Sequence, residues 1–128
     1  MKTERLVNIR PSQIEPVHEL NYEDDTYQDL LSDFLDPAIG WDERPLVVVR
    51  KPYIKKSKRY RALTGCHRWH AAAAAKLQWI PCLVIEDPNV YHAIVDWDNS
   101  NRVDYHRFSR ILERHGHYTA RYIFDLDC

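Results

Sequence analysis

A strand, a tight turn and a helix follow one another across residues 60–77, and this stretch constrains the fold more than any other part of the chain. Residues 60–63 are apolar enough for the end of a buried strand, and Gly65 supplies the turn. The alanine-rich segment at residues 69–77 has the highest helix propensity in the sequence. We therefore expect a helix that begins near Cys66.

The start of this helix is a candidate anion site. The first turn of a helix leaves backbone N–H groups without partners and carries the positive end of the helix dipole, so a glycine turn placed there favours negative charge. Thr64, His67 and Arg68 add a hydroxyl, an imidazole and a guanidinium group, which suit a phosphate. We expect a phosphate-bearing ligand, although the same residues also fit an N-cap, a turn and exposed helix starters without a ligand.

Residues 65–68 read Gly-Cys-His-Arg, which resembles the signature of sulfiredoxins and the Gly-x-x-Arg box of the wider ParB/sulfiredoxin superfamily. The resemblance covers about residues 5–87. It implies an α/β (α+β) fold: a small mixed sheet with packed helices, followed here by a helical C-terminal addition. It also implies ATP or ADP as the ligand, with Mg²⁺. The residues that would hold the phosphates are Thr64, Gly65, Cys66, His67 and Arg68.

Two residues are candidate catalytic groups. Cys66 lies at the positive end of the expected helix beside His67 and Arg68, which favours a thiolate, and the matching cysteine of sulfiredoxins is the nucleophile. Glu19 ends a Pro-Val-His-Glu segment that resembles the His-Glu box of the superfamily's free-serine kinases, in which the glutamate is the general base. Each residue also fits a role without chemistry, Cys66 as a small residue in a tight turn and Glu19 as a surface carboxylate.

Neither subfamily matches fully. Where sulfiredoxins carry Lys, Ser and Thr on the first amphipathic helix, this chain has Thr26, Asp29 and Asp33. The free-serine kinases usually have His at the position of Cys66. We expect a nucleotide-binding phosphotransferase that acts on a protein or an amino acid, or an ATPase. The alternatives are a ParB-like nucleotide- or DNA-binding module (switch or nuclease), a sulfiredoxin-type reductase that uses Cys66, and an interaction module without chemistry.

Composition limits the partners. The 128 residues suit one domain, with residues 1–88 as the nucleotide-binding core and residues 89–128 as an extension of it. The net charge is −1, so binding to a polyanion requires a local patch. Residues 50–61 contain basic but no acidic side chains, and a solvated hairpin tip is favoured there over a nucleic-acid contact. The candidate contacts are Lys55, Lys56, Lys58 and Arg59.

The remaining patterns argue against several other classes of protein. No apolar run is long enough to span a membrane and no signal-peptide pattern is present, so we expect a cytoplasmic protein without a membrane partner. Three cysteines without a C-x-x-C spacing argue against a disulfide framework or a cysteine zinc site. The histidine pairs 67/70 and 115/117 have no recognisable third ligand, so we expect no metal site built by the protein alone.

Apolar periodicity predicts the other elements. Strands are expected at residues 5–9, 46–49 and 80–85. Helices are expected at residues 24–35 and 105–115, the second ended by Gly116. Residues 91–97 and 118–126 each fit either a helix or a strand.

Overall fold

A computed structural model describes residues 4–41, 43–53, 58–100 and 104–127 of the chain. It has the α/β architecture that the sequence predicts, with one mixed sheet covered by helices on both faces. The strands are β1 (Arg5–Ile9), β2 (Ile14–Glu15), β3 (Leu46–Arg50), β4 (Tyr60–Ala62) and β5 (Ile80–Ile85). The helices are α1 (Asp25–Leu35), α2 (Cys66–Ala74), α3 (Pro88–Ser100), α4 (Tyr105–Arg114) and α5 (Tyr118–Leu126).

The strands lie in the order β1-β5-β3-β4-β2. The central strands β3 and β5 are parallel, with Val48 opposite Val84, whereas β1 pairs antiparallel with β5 and β4 pairs antiparallel with β3. The apolar run that begins β3 is fully buried along its length, as expected for a strand covered on both faces. The short β2, which pairs parallel with β4, was not predicted, because two residues are too few to show a period.

Alternate residues of β3 enter different cores. Leu46 and Val48 pack in the layer of α1 and α2, whereas Val47 and Val49 pack against the C-terminal helices. Ala71 is completely buried, since its small side chain lets α2 approach the sheet closely. This arrangement places the N-terminus of α2 between α1 and the residues that follow α5.

Packing determines whether the two segments with ambiguous periodicity are helices or strands. Residues 91–97 lie in α3, and residues 118–126 form α5. The helix α2 ends at Ala74, three residues earlier than predicted, because Lys76 adopts a left-handed conformation with φ of +58°. The basic run joins β3 to the antiparallel β4, as predicted, but Lys55 and Lys56 lie outside the described residues. Within the described ranges, no helix is long and apolar enough to cross a membrane.

Candidate functional site

A cleft of about 450 Å³ lies at the N-terminus of α2. Its volume is within the range of small-molecule sites. The structure brings the predicted phosphate-binding residues 64–68 together in its wall, along with His18 and Thr26. Five further lining residues were not predicted: Leu30, Glu43, Arg44, Tyr105 and Asp127. The cleft is therefore assembled from both helical layers of the chain.

Gly65 is the N-cap of α2 and adopts a left-handed conformation with φ of +77°. A side chain at this position would collide with Leu46 and would bring its Cβ within 3.0 Å of the Arg68 guanidinium group. Both the conformation and the close approach require glycine. The carbonyl oxygen of Gly65 accepts from the Trp69 N–H at 2.8 Å, which starts the helical hydrogen bonding.

The first turn of α2 keeps its donors open. The backbone N–H groups of Cys66, His67 and Arg68 precede that first helical hydrogen bond, and no described group accepts from them. Thr64 is buried behind the turn, where its hydroxyl oxygen accepts from the Val47 N–H at 3.4 Å. The Thr64 hydroxyl therefore holds the turn against β3, while the backbone N–H groups remain available to donate to an anion.

Arg68 already holds an anion from within the chain. Its Nη2 donates to Oδ2 of Asp127 at 2.6 Å, and its Nη1 donates to the carbonyl oxygen of Arg44 at 2.6 Å. The Nε of Arg44 donates to the second carboxylate oxygen, Oδ1, at 2.9 Å. Two guanidinium groups thus bind one carboxylate, and Arg68 is only 8% exposed. The sequence predicted Arg68 at the site but not this partner.

Cys66 differs from the predicted thiolate. Its Sγ donates to the carbonyl oxygen of His18 at 3.2 Å and lies 3.5 Å from the His18 Nδ1. Burial raises the pKa of the Cys66 thiol above its usual range, and the negative charge of Glu19 raises it further. The pKa of the Cys66 thiol therefore moves opposite to the expected direction, because burial and the charge of Glu19 outweigh the hydrogen bond with the His18 backbone.

The segment that carries Glu19 is held against α2. The ring of His70 donates from Nε2 to the His18 carbonyl oxygen at 3.0 Å, and the ring of His18 donates from Nδ1 to the Glu19 carbonyl oxygen at 2.6 Å. The Glu19 side chain is exposed and makes no hydrogen bond or ion pair with any residue that the structure describes. Glu19 itself does not line the cleft, although the preceding residue, His18, does.

The first residues of α1 form the facing wall. Asp24 caps α1 by accepting from the Tyr27 N–H at 3.2 Å, and the His67 Nε2 lies 3.4 Å from the same carboxylate. The Tyr27 N–H and then His67 hold the pKa of Asp24 below its usual range. Asp29 and Asp33 are exposed and do not line the cleft. Thr26 is therefore the polar residue that α1 contributes to the cleft wall.

No nearby sequence pattern marks Arg44 or Asp127 as a residue of the site. Arg44 precedes a strand and Asp127 follows a helix, which are ordinary places for charged residues. Asp127 reaches Arg68 across 59 positions of sequence, because α5 folds back over the sheet. Such a contact has no short-range pattern that sequence reasoning can detect.

Two solved structures align with this chain. The C-terminally truncated chromosome-partitioning protein ParB from Caulobacter crescentus, complexed with CTP-gamma-S, aligns with a TM-score of 0.50 and 17% identity, over 94% of this chain and 71% of that one. Sulfiredoxin from Arabidopsis thaliana aligns with a TM-score of 0.47 and 18% identity, over 65% of this chain and 86% of that one.

No curated protein sequence matches this chain. The family model that describes the ParB N-terminal domain matches residues 1–96, which is most of the chain and includes the Gly65 turn and α2. The mixed sheet, the glycine turn and this match agree with one another. The chain therefore belongs to the ParB N-terminal domain family.

Proposed function

We propose that this protein binds a nucleoside phosphate in the cleft, with the phosphates at the N-terminus of α2. The observation that carries the proposal is the Gly65 turn, which leaves three backbone N–H groups without a partner among the described residues. Such groups at a helix N-terminus bind phosphate well. Arg68 and Arg44 place two guanidinium groups in the same wall, and the cleft has room for a nucleotide.

The sequence resemblance favours ATP or ADP, and the related fold adds a third candidate. The ParB structure from C. crescentus is a complex with CTP-gamma-S, so CTP belongs in any test of this chain. Mg²⁺ would enter with the phosphates. Of the carboxylates that line the cleft, Glu43 makes no ion pair with a described residue, whereas Asp127 is bound by two arginines. Glu43 is therefore the carboxylate that suits the cation.

The test is calorimetric titration of the protein with ATP, ADP and CTP. We expect Arg68→Ala to weaken binding by about ten- to a hundred-fold, since a charge-assisted hydrogen bond contributes roughly 1.5–3 kcal/mol. His67→Ala removes a more exposed residue of the same wall and should weaken binding less. Arg110→Ala, on the exposed face of α4, is the control.

Arg68 also supports the fold, so the affinity of Arg68→Ala must be compared at matched folded fraction, which circular dichroism measures. Equal affinities for the wild type, Arg68→Ala and His67→Ala would contradict the proposed position of the phosphates. Failure of the wild type to bind any of the three nucleotides would contradict the proposed function itself.

Phosphotransfer is a second candidate function, and the position of Glu19 favours it. Its carboxylate is exposed, is not paired with any described residue and belongs to the residue that follows His18, which lines the cleft. A free carboxylate beside bound phosphates can accept the proton of a hydroxyl acceptor while the phosphoryl group is transferred. The acceptor would be a free amino acid or a protein side chain.

A further inference from the structure

We infer that Asp127 is an internal competitor for the phosphate site and that it restricts the site to ligands with two or more phosphate groups. The inference rests on the proposed nucleotide binding. Both oxygens of its carboxylate are engaged, Oδ1 by Arg44 and Oδ2 by Arg68. The Asp127 side chain is only 7% exposed, which is typical of a carboxylate held firmly by charge-assisted hydrogen bonds.

The carboxylate occupies the place where a ligand would meet the guanidinium group. The Nη2 of Arg68 binds Asp127, and the same atom lies 3.0 Å from the ideal Cβ position of Gly65, at the start of α2. A phosphate that reaches both Arg68 and the open N–H groups must therefore share or replace the carboxylate. Because Asp127 follows α5 directly, its release would also free the end of that helix.

Competition with the Asp127 carboxylate favours ligands that carry more negative charge and that can contact more of the site at once. A nucleoside triphosphate carries enough anionic oxygens to bind the N–H groups at residues 66–68 and both arginines together. A nucleoside monophosphate cannot replace Asp127 at both arginines and bind the helix N-terminus with its single phosphate group. The monophosphate therefore leaves the internal ion pair in place and should bind much more weakly.

The test compares Asp127→Asn with a matched control near the end of α5. Asp125→Asn removes an equal charge, but Asp125 pairs with Ser109 at 2.7 Å and Arg121 at 3.3 Å, away from the cleft. We expect Asp127→Asn to bind ATP or CTP about tenfold more tightly than the wild type, and Asp125→Asn to bind unchanged. The gap between triphosphate and monophosphate affinities should also narrow in Asp127→Asn.

Thermal unfolding checks that the variants fold, and Asp127→Ser, which also removes the charge, should change affinity in the same direction. Weaker binding by both Asp127 variants would show a residue that positions the arginines and would overturn the inference. Equal affinities of the wild type and Asp127→Asn would overturn it as well, while nucleotide binding by the wild type keeps the proposed function. Absence of binding in every protein would overturn both.

A separate observation concerns the far end of α2, where basic side chains and an exposed tryptophan share one surface. This basic–aromatic surface comprises Arg10, Lys58, Arg59, Lys76 and Trp79. Nine residues of helix extend roughly 13 Å, so the surface is distinct from the cleft at the other end of α2.

The sheet brings the surface together. Ile9 pairs with Ile80 at the end of β1, which places Arg10 beside Trp79, and the Arg10 guanidinium carbon lies 5.1 Å from the centre of the Trp79 ring. The Trp79 residue is nevertheless 44% exposed. The backbone N–H of Arg59 donates to the carbonyl oxygen of Gln13 at 3.0 Å, which holds the start of β4 next to the same groove.

The charges of this surface are unusual in a chain with a net charge of −1. Among the residues that the structure describes, no carboxylate lines either of its two grooves, and none of its four basic side chains forms an ion pair. Elsewhere in the described chain, Arg44, Arg68 and Arg121 are all paired with carboxylates. Unpaired cations gathered on one surface favour an anionic partner.

We propose that this surface binds single-stranded nucleic acid. The four basic side chains can contact the phosphates of one strand, and the exposed part of the Trp79 ring offers a stacking face for one base. A paired base in a duplex is already stacked, so Trp79 adds nothing to duplex binding. An acidic peptide would satisfy the cations but would not use the ring.

The test is fluorescence anisotropy with a labelled 15-nucleotide oligothymidylate, the matching duplex and a poly-glutamate peptide. We expect the single strand to bind best, with log affinity falling against log salt at a slope of about −2 to −3 if three or four phosphates are neutralised. Trp79→Ala and Arg10→Glu/Arg59→Glu should each weaken binding by roughly tenfold. Arg110→Glu/Arg114→Glu, on the exposed face of α4, should have little effect.

Duplex binding as tight as single-strand binding would overturn this second inference. Equal binding of poly-glutamate, unaffected by Trp79→Ala, would identify an acidic protein segment as the partner and would overturn it too. Full affinity of Arg10→Glu/Arg59→Glu for the single strand would show that the surface is not used.

Discussion

Replacement of His117 by leucine should lower the free energy of unfolding by about 3–5 kcal/mol, because it removes the partner that contacts two buried carboxyl groups. The His117 Nδ1 lies 3.0 Å from Glu4 Oε1, and its Nε2 lies 2.8 Å from Asp87 Oδ2. All three side chains are 5% exposed or less. Each ring nitrogen of His117 therefore contacts one buried carboxyl group.

This cluster ties the C-terminal helices to the sheet. Glu4 precedes β1 and Asp87 follows β5, and the antiparallel pairing of these strands brings the two carboxylates to one edge. His117 lies between α4 and α5, so its ring connects the second helical layer to that edge. Loss of the ring leaves two buried carboxyl groups without this partner, which is costly.

Urea denaturation measures the effect, with His115→Leu as the control because it changes the same residue type two positions away. If the cost comes from the buried carboxylates, Glu4→Gln combined with His117→Leu should recover part of the lost stability. A loss below about 1 kcal/mol in His117→Leu, the range of an exposed ion pair, would contradict a stabilising role for the cluster.

The chemistry of the cleft is expected to depend on Glu19 rather than Cys66. If Glu19 is the general base, Glu19→Gln should lower the rate of phosphoryl transfer by roughly a hundred-fold or more, and Cys66→Ser should be mild. The carboxylate is exposed and free of described partners, whereas burial raises the pKa of the Cys66 thiol away from the reactive thiolate. Glu23→Gln, an exposed acid nearby, is the control.

The measurement is nucleotide consumption with free serine and, separately, with a sulfinylated peroxiredoxin. Turnover with serine that requires Glu19 would support the kinase-like scheme. Turnover with the peroxiredoxin that Cys66→Ser abolishes, with nucleotide binding intact, would instead support the sulfiredoxin-like scheme, because only a thiolate can attack the sulfinyl phosphoryl ester. No turnover with either acceptor would contradict both schemes and leave nucleotide binding as the function.

Local sequence was sufficient for the part of the site that neighbouring residues build. Gly65 and the alanine-rich segment after it predicted the turn and the helix α2, because left-handed conformations and helix propensity depend on the residues themselves. The apolar run of β3 likewise predicted a strand. Residues 64–68 line one cleft for this reason, and their binding of phosphate stays a prediction.

Tertiary structure decided everything that depends on distant partners. Residues 118–126 became a helix because Ala120 and Phe124, one helical turn apart, are both fully buried. The position of α5 then set Asp127 against Arg68, 59 positions away. Burial beneath His18 likewise reversed the expected direction of the Cys66 pKa. Local propensity cannot specify such contacts, because they arise only when the sheet buries both of its faces.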